Sequence, residues 1–119
     1  MKADVILWQP ALPNLLNLRG YEDMARTYLH GLKLLGFDSE LHVNSFDPQS
    51  KVNFVFGAHL MDPENLQRIP GRCFYVNLEQ VYQQQVPEEK LSPAIRHILR
   101  HWSVIDYSRF NMEFWTRVA

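Results

Sequence analysis

The sequence of 119 residues has a single cysteine, Cys73, so no intrachain disulfide can form and a reducing compartment, the cytoplasm, is the expected setting. It also lacks an excess of charge of either sign. Twelve Lys and Arg face thirteen Asp and Glu, which leaves no electrostatic footprint for nucleic acid or for an anionic membrane. No apolar run is long enough to span a bilayer, and one Lys followed by Ala-Asp before a short apolar stretch does not make a signal peptide. The five glycines never fall into G-x-G-x-x-G or G-x-x-x-x-G-K-[ST]. Trp8-Gln9-Pro10 stands where a phosphate-binding glycine loop would follow the first strand, which argues against a dinucleotide or P-loop site. A response-regulator receiver would carry acidic residues at the ends of strands one and three and a lysine after strand five, and Gln9, Gly57 and Asp106 hold those places. A nucleophile elbow is missing as well, which disfavours a small hydrolase.

What is present fits one soluble globular domain over residues 1–119, with 46% apolar and 21% charged residues. Val5-Ile6-Leu7-Trp8 reads as a strand buried on both faces. Residues 21–35 show helical spacing, with Met24, Ala25, Tyr28, Leu29, Leu32 and Leu35 on one side and Gly36 as the stop. Residues 39–43 alternate as an outer strand would, 44–50 form a loop, and 52–56 form a third strand ending in Gly57-Ala58-His59. Asp62-Pro63 caps a short helix to about Gln67, and Pro70-Gly71 turns the chain into a fourth strand over 73–76. Ser92-Pro93 opens a helix with Ile95, Ile98, Leu99 and Trp102 in a stripe. Val104-Ile105 is a fifth strand, and a last helix carries Phe110, Phe114 and Trp115.

Strands alternating with helices specify an α/β fold, an open and mainly parallel five-stranded sheet with helices on both faces, Rossmann-like. Right-handed crossovers give the order 2-1-3-4-5. In such a sheet ligands bind beyond the carboxyl ends of the strands, near the point where the winding reverses. That rim collects Gln9, then Gly57 and His59, then Asn77 through Gln80, then Asp106, Tyr107 and Ser108. His59, Glu79 and Asp106 would thus converge, and a carboxylate over an apolar floor can take a proton from a hydroxyl. Structural roles are open for the same residues. Ser108 and Asp106 suit a helix cap, Asn77 a backbone turn, Glu79 a helix N-terminus, and Gly57 either a tight turn or close approach of a ligand.

Other polar features point to structure. His97 and His101 are one helical turn apart, the spacing of zinc-binding helices, but the companion glutamate and a third ligand are missing and Arg96 and Arg100 flank them, so a solvated basic face is expected. Cys73 lies in an apolar run and reads as a small buried side chain. The aromatic residues fall mostly at core spacing, with Trp8 at the rim and Tyr82 in a polar stretch as the exceptions.

The segment 52–60, VNFVFGAHL, the segment 74–80, FYVNLEQ, and the segment 104–108, VIDYS, with Asn111, succeed one another in an order that resembles the N-terminal half of bacterial GT-B-type glycosyltransferases, with their "FGAH", "NLEQ" and "DYS..N" turns. The resemblance covers roughly residues 50 to 112. It implies an acceptor-binding lobe that faces a nucleotide-sugar lobe in a two-lobe enzyme, transferring a sugar to a hydroxyl acceptor without a metal or other cofactor, which is consistent with the lack of a D-x-D pair. It implies Glu79 or His59 as the catalytic base, with Gly57, Asn77, Gln80, Asp106, Tyr107, Ser108 and Asn111 toward the substrate. The second lobe lies outside these 119 residues. The chain is therefore expected to be inactive alone, either as a lobe of a longer protein or as a one-lobe relative, with the missing lobe or a partner protein completing it. The alternative is a non-enzymatic binding or assembly module that docks a partner through the rim or the last helix.

Overall fold

The computed structural model describes residues 1–9, 18–78 and 91–118. Strand β1 (Ala3–Leu7) is followed by helix α1 (Leu18–Leu34), β2 (Leu41–Val43), β3 (Val52–Phe56), a 3-10 turn (Ala58–Leu60), α2 (Pro63–Arg68), β4 (Arg72–Asn77), α3 (Pro93–His101), β5 (Ser103–Asp106) and α4 (Arg109–Val118). All five strands pair in parallel in the order β2-β1-β3-β4-β5. β1 therefore lies beside the winding reversal, and every residue in it is buried.

The register sorts side chains between the faces. Ile6, Val55, Tyr75 and Val104 are neighbours along one row and point to the same side, where Leu66 of α2, Ile98 of α3, and Phe114 and Trp115 of α4 cover them. Val5, Leu7, Phe56 and Val76 point to the other side, against Tyr21, Ala25 and Leu32 of α1. Helices thus lie on both faces, and among the described residues α1 is the only helix on its side. Two of the expected stripe residues fall outside the core. Leu35 is 76% exposed because it sits past the end of α1, in the turn where Gly36 takes φ 91°, and Met24 rides the edge of the stripe.

The cap-then-proline pairs work as the sequence implies. Asp62 Oδ1 accepts from the Asn65 N–H at 2.9 Å, and Ser92 Oγ accepts from the Ile95 N–H at 3.2 Å, each ahead of a proline in the first helical turn. A typical cap of this kind is worth about 1 kcal/mol. Both caps start helices on the same side of the sheet, which fixes how β3 leads to β4 and how the chain enters β5.

Candidate functional site

The rim beyond β3, β4 and β5 is built by three local devices. The first is Gly57, in the left-handed region at φ 81°, which turns the chain sharply out of β3 into the 3-10 turn that carries His59. A Cβ at position 57 would collide with the Trp8 carbonyl, whose own residue donates its N–H to the Phe56 carbonyl at 2.8 Å. Gly57 thus answers to close packing of the chain on itself. The second device is strand alternation, which puts Tyr75 and Asn77 on the same face of β4. The third is the register of β5, which sets Asp106 directly beside Asn77. Ser108 then caps α4, its Oγ accepting from the Asn111 N–H at 3.3 Å.

These devices produce one continuous chain of hydrogen bonds. Asp106 accepts from Asn77 Nδ2 at 2.7 Å, Trp115 Nε1 at 2.8 Å, Asn111 Nδ2 at 3.0 Å and the Ser108 N–H at 3.1 Å. A carboxylate offers roughly four lone-pair directions, so protein donors take up its accepting capacity. Asn77 Oδ1 accepts from the Tyr75 hydroxyl at 3.0 Å, and that hydroxyl lies 3.1 Å from His59 Nδ1. Tyr75 and Asn77 are each 1% exposed and Asn111 is fully buried, so the chain runs beneath the surface from β5 to β3. The Tyr75 ring meets His59 and Trp115 edge to face, at centroid distances of 6.0 and 5.9 Å, which closes apolar walls around the polar line.

The structure brings together His59, Asn77, Asp106, Ser108 and Asn111 of the residues expected from the sequence. Tyr107 stands beside them with 59% of its surface exposed, and His59 is half-buried at the solvent end of the chain. Asn111 acts on the rim through Asp106, and Asp106 faces inward. Glu79 and Gln80, and Tyr82 after them, lie outside the described residues. Two members escaped the sequence reading. In the sequence Tyr75 reads as apolar strand and Trp115 as core, although the Tyr75-Val76-Asn77 alternation puts a hydroxyl and an amide side by side.

A second polar cluster, around β1 and β2, also went unread. Asp4 is fully buried, accepts from the Glu40 N–H at 3.0 Å, and lies 3.3 Å from His42 Nε2 and 3.5 Å from Lys2 Nζ. Lys2 reaches Asp47 at 3.2 Å as well, and although burial opposes its charge, Asp47, Asp4 and Glu40 hold its ammonium above the ordinary lysine value. Asp4 lies one residue before the apolar run Val5-Ile6-Leu7-Trp8, so the sequence places the strand start after it, whereas β1 begins at Ala3. The cluster clamps the edge strand to β1, away from the rim.

Among the described residues no group of three or more His, Cys, Asp or Glu side chains could hold a metal ion. Burial pushes the Cys73 thiol up to about 12, and its Sγ lies 3.7 Å from the Pro70 carbonyl, so it is not a nucleophile near neutrality. The His97 and His101 rings lie 4.6 Å apart between centroids with their planes tilted by 43°, and burial together with the His101 charge lowers the His97 value. On α4, Phe114 and Trp115 are buried while Phe110 is 54% exposed. Phe110, Glu113, Phe114 and Arg117 line an open groove of about 350 Å³. No helix among the described residues is long and apolar enough to cross a membrane. Compared with known proteins, the sequence matches no family model, no curated protein and no solved structure.

Proposed function

We propose that this domain is the acceptor-binding lobe of a glycosyltransferase of the GT-B type, working in the cytoplasm, where a lone cysteine stays reduced. The observation that supports this reading is the hydrogen-bonded chain from His59 through Tyr75 and Asn77 to Asp106 and Asn111. It joins residues from the three segments whose order resembles that family, at the edge of a parallel sheet where ligands bind. A chain tied inward at Asp106 and reaching solvent at His59 suits a base that receives the acceptor's proton. In the transfer, the acceptor hydroxyl gives its proton to that base as its oxygen bonds to the anomeric carbon. The bond from that carbon to the nucleoside diphosphate breaks, and the diphosphate leaves with the bonding pair. His59 and Glu79 are the candidates for the base. Exposed Tyr107 offers a ring face on which a sugar can stack. One lobe holds one substrate, so transfer also needs the donor half-site.

Chemical-shift mapping with a panel of mono- and oligosaccharides tests the reading. Shifts that saturate and centre on His59, Tyr107 and Ser108 are expected. Saccharides that leave these resonances unmoved would contradict it. A second reading, a non-enzymatic docking module, draws on exposed Phe110 and the groove along α4. That reading expects partner-induced shifts along Phe110, Glu113 and Arg117 with the rim undisturbed.

A further inference from the structure

The direction of each hydrogen bond at the rim follows from which atoms are able to donate. As a carboxylate, Asp106 only accepts, so the Asn77 atom 2.7 Å from it is the amide nitrogen. The amide is planar, and its other polar atom, Oδ1, only accepts. Tyr75 therefore spends its single hydroxyl proton on Asn77 Oδ1, 3.0 Å away. What remains on the Tyr75 oxygen is lone pairs, and the atom 3.1 Å from it is His59 Nδ1. For that contact to be a hydrogen bond, Nδ1 must carry the proton.

We propose that Asp106, acting through Asn77 and Tyr75 as positioning residues, holds neutral His59 as the Nδ1–H tautomer, so that Nε2 is its basic nitrogen. The relation is that of a carboxylate orienting a histidine, stretched over two further side chains and across three strands of the sheet. It has a useful consequence for chemistry. When Nε2 takes up a proton, Nδ1 still donates to Tyr75 and no bond of the chain has to turn round, so the site meets the charged state already organised. The inference rests on the glycosyltransferase reading only in naming an acceptor hydroxyl as the source of that proton. Among the groups the structure describes, it favours His59 Nε2 as the atom that receives it.

The test is a two-bond 1H–15N correlation spectrum of the histidine rings on the intact protein, recorded on the neutral ring. The expected result for His59 is a protonated-type Nδ1 and an unprotonated-type Nε2. The opposite pattern overturns the proposal. In Tyr75→Phe, which keeps the buried ring and removes the hydroxyl that accepts from Nδ1 and donates to Asn77, the fixed pattern is expected to give way to an exchange-averaged mixture or to the Nε2–H form. A Tyr75→Phe protein in which His59 keeps the wild-type pattern would also overturn it, because another group would then be setting the tautomer. The wild-type spectrum stands by itself should the variant fold poorly. Because no substrate is needed, the two ideas fail separately. An Nδ1–H histidine in a protein whose rim ignores saccharides removes the transferase reading alone, and an Nε2–H histidine beside a rim that binds them removes the tautomer alone.

Discussion

Tyr75 shows how a single atom can change what a residue is for. Its ring belongs to the core, while its hydroxyl joins two sides of a site, and Tyr75→Phe separates these roles by losing a buried bond to Asn77 and a part-buried one to His59. Gly57 is constrained in a different way. Its φ of 81° and the Trp8 carbonyl above it leave no room for a Cβ, so Gly57→Ala is expected to lower stability by about 1–3 kcal/mol in urea titration and to disturb the His59 resonances. A substitution with no measurable cost would mean that the turn is looser than described. Cys73 yields a chemical expectation. With its thiol pushed up to about 12 by burial, the native protein should resist alkylation under mildly alkaline conditions and react only after unfolding. Rapid labelling of the native protein would show that the thiol is accessible.

Among the elements, the helices were the most legible, because a cap followed by proline marks a start by chemistry that needs no tertiary partner. Asp62-Pro63 and Ser92-Pro93 both open helices where the sequence implies. Strand ends were less legible. β1 begins at Ala3 because Asp4 finds Lys2, His42 and the Glu40 N–H, partners that only the folded sheet supplies. α1 starts at Leu18, ahead of the stripe that marked it, and ends before Leu35. The α3 histidines carry a pH expectation that follows from position on the element. His97 has a folded value below its unfolded value of 6.5, so it binds a proton more weakly when folded. Its contribution to stability is then complete above pH 6.5, falls as pH drops through that value, and levels off below the folded value. Burial is the larger cause and the neighbouring His101 the lesser, so His101→Gln is expected to raise the His97 value only part of the way back in an NMR titration. Full recovery would assign the shift to charge alone, and no recovery would assign it to burial alone.

For the whole molecule, the strand order came from the alternation of elements and the handedness of crossovers, and the structure has that order, β2-β1-β3-β4-β5. The same topology brings positions 59, 77 and 106 to one edge, and strand order with strand ends is enough to place these three together from the sequence. What could not be read is the direction in which each side chain bonds. The sequence presents the rim as a set of groups turned toward a ligand, whereas Asp106 and Asn111 turn inward and are joined to the surface by hydrogen bonds through Asn77, Tyr75 and His59. Spacing along the chain specifies which residues share an edge, but only packing by Trp115 and α4 specifies which of them stay there to hold the others. The acceptor-lobe reading depends on that connection, since His59 is a prepared base only if the distant carboxylate reaches it.

A double-mutant cycle between Asp106→Asn and Tyr75→Phe, scored by equilibrium unfolding in urea, tests that connection most directly, because the two residues do not bond to each other and the hydrogen bonds between them run through Asn77, with Trp115 in contact with both. Members of one hydrogen-bonded network are expected to show a coupling of about 0.5–3 kcal/mol. Effects that add to within about 0.3–0.5 kcal/mol would contradict the account, since Asp106 and His59 would then be neighbours on a rim without a chain between them.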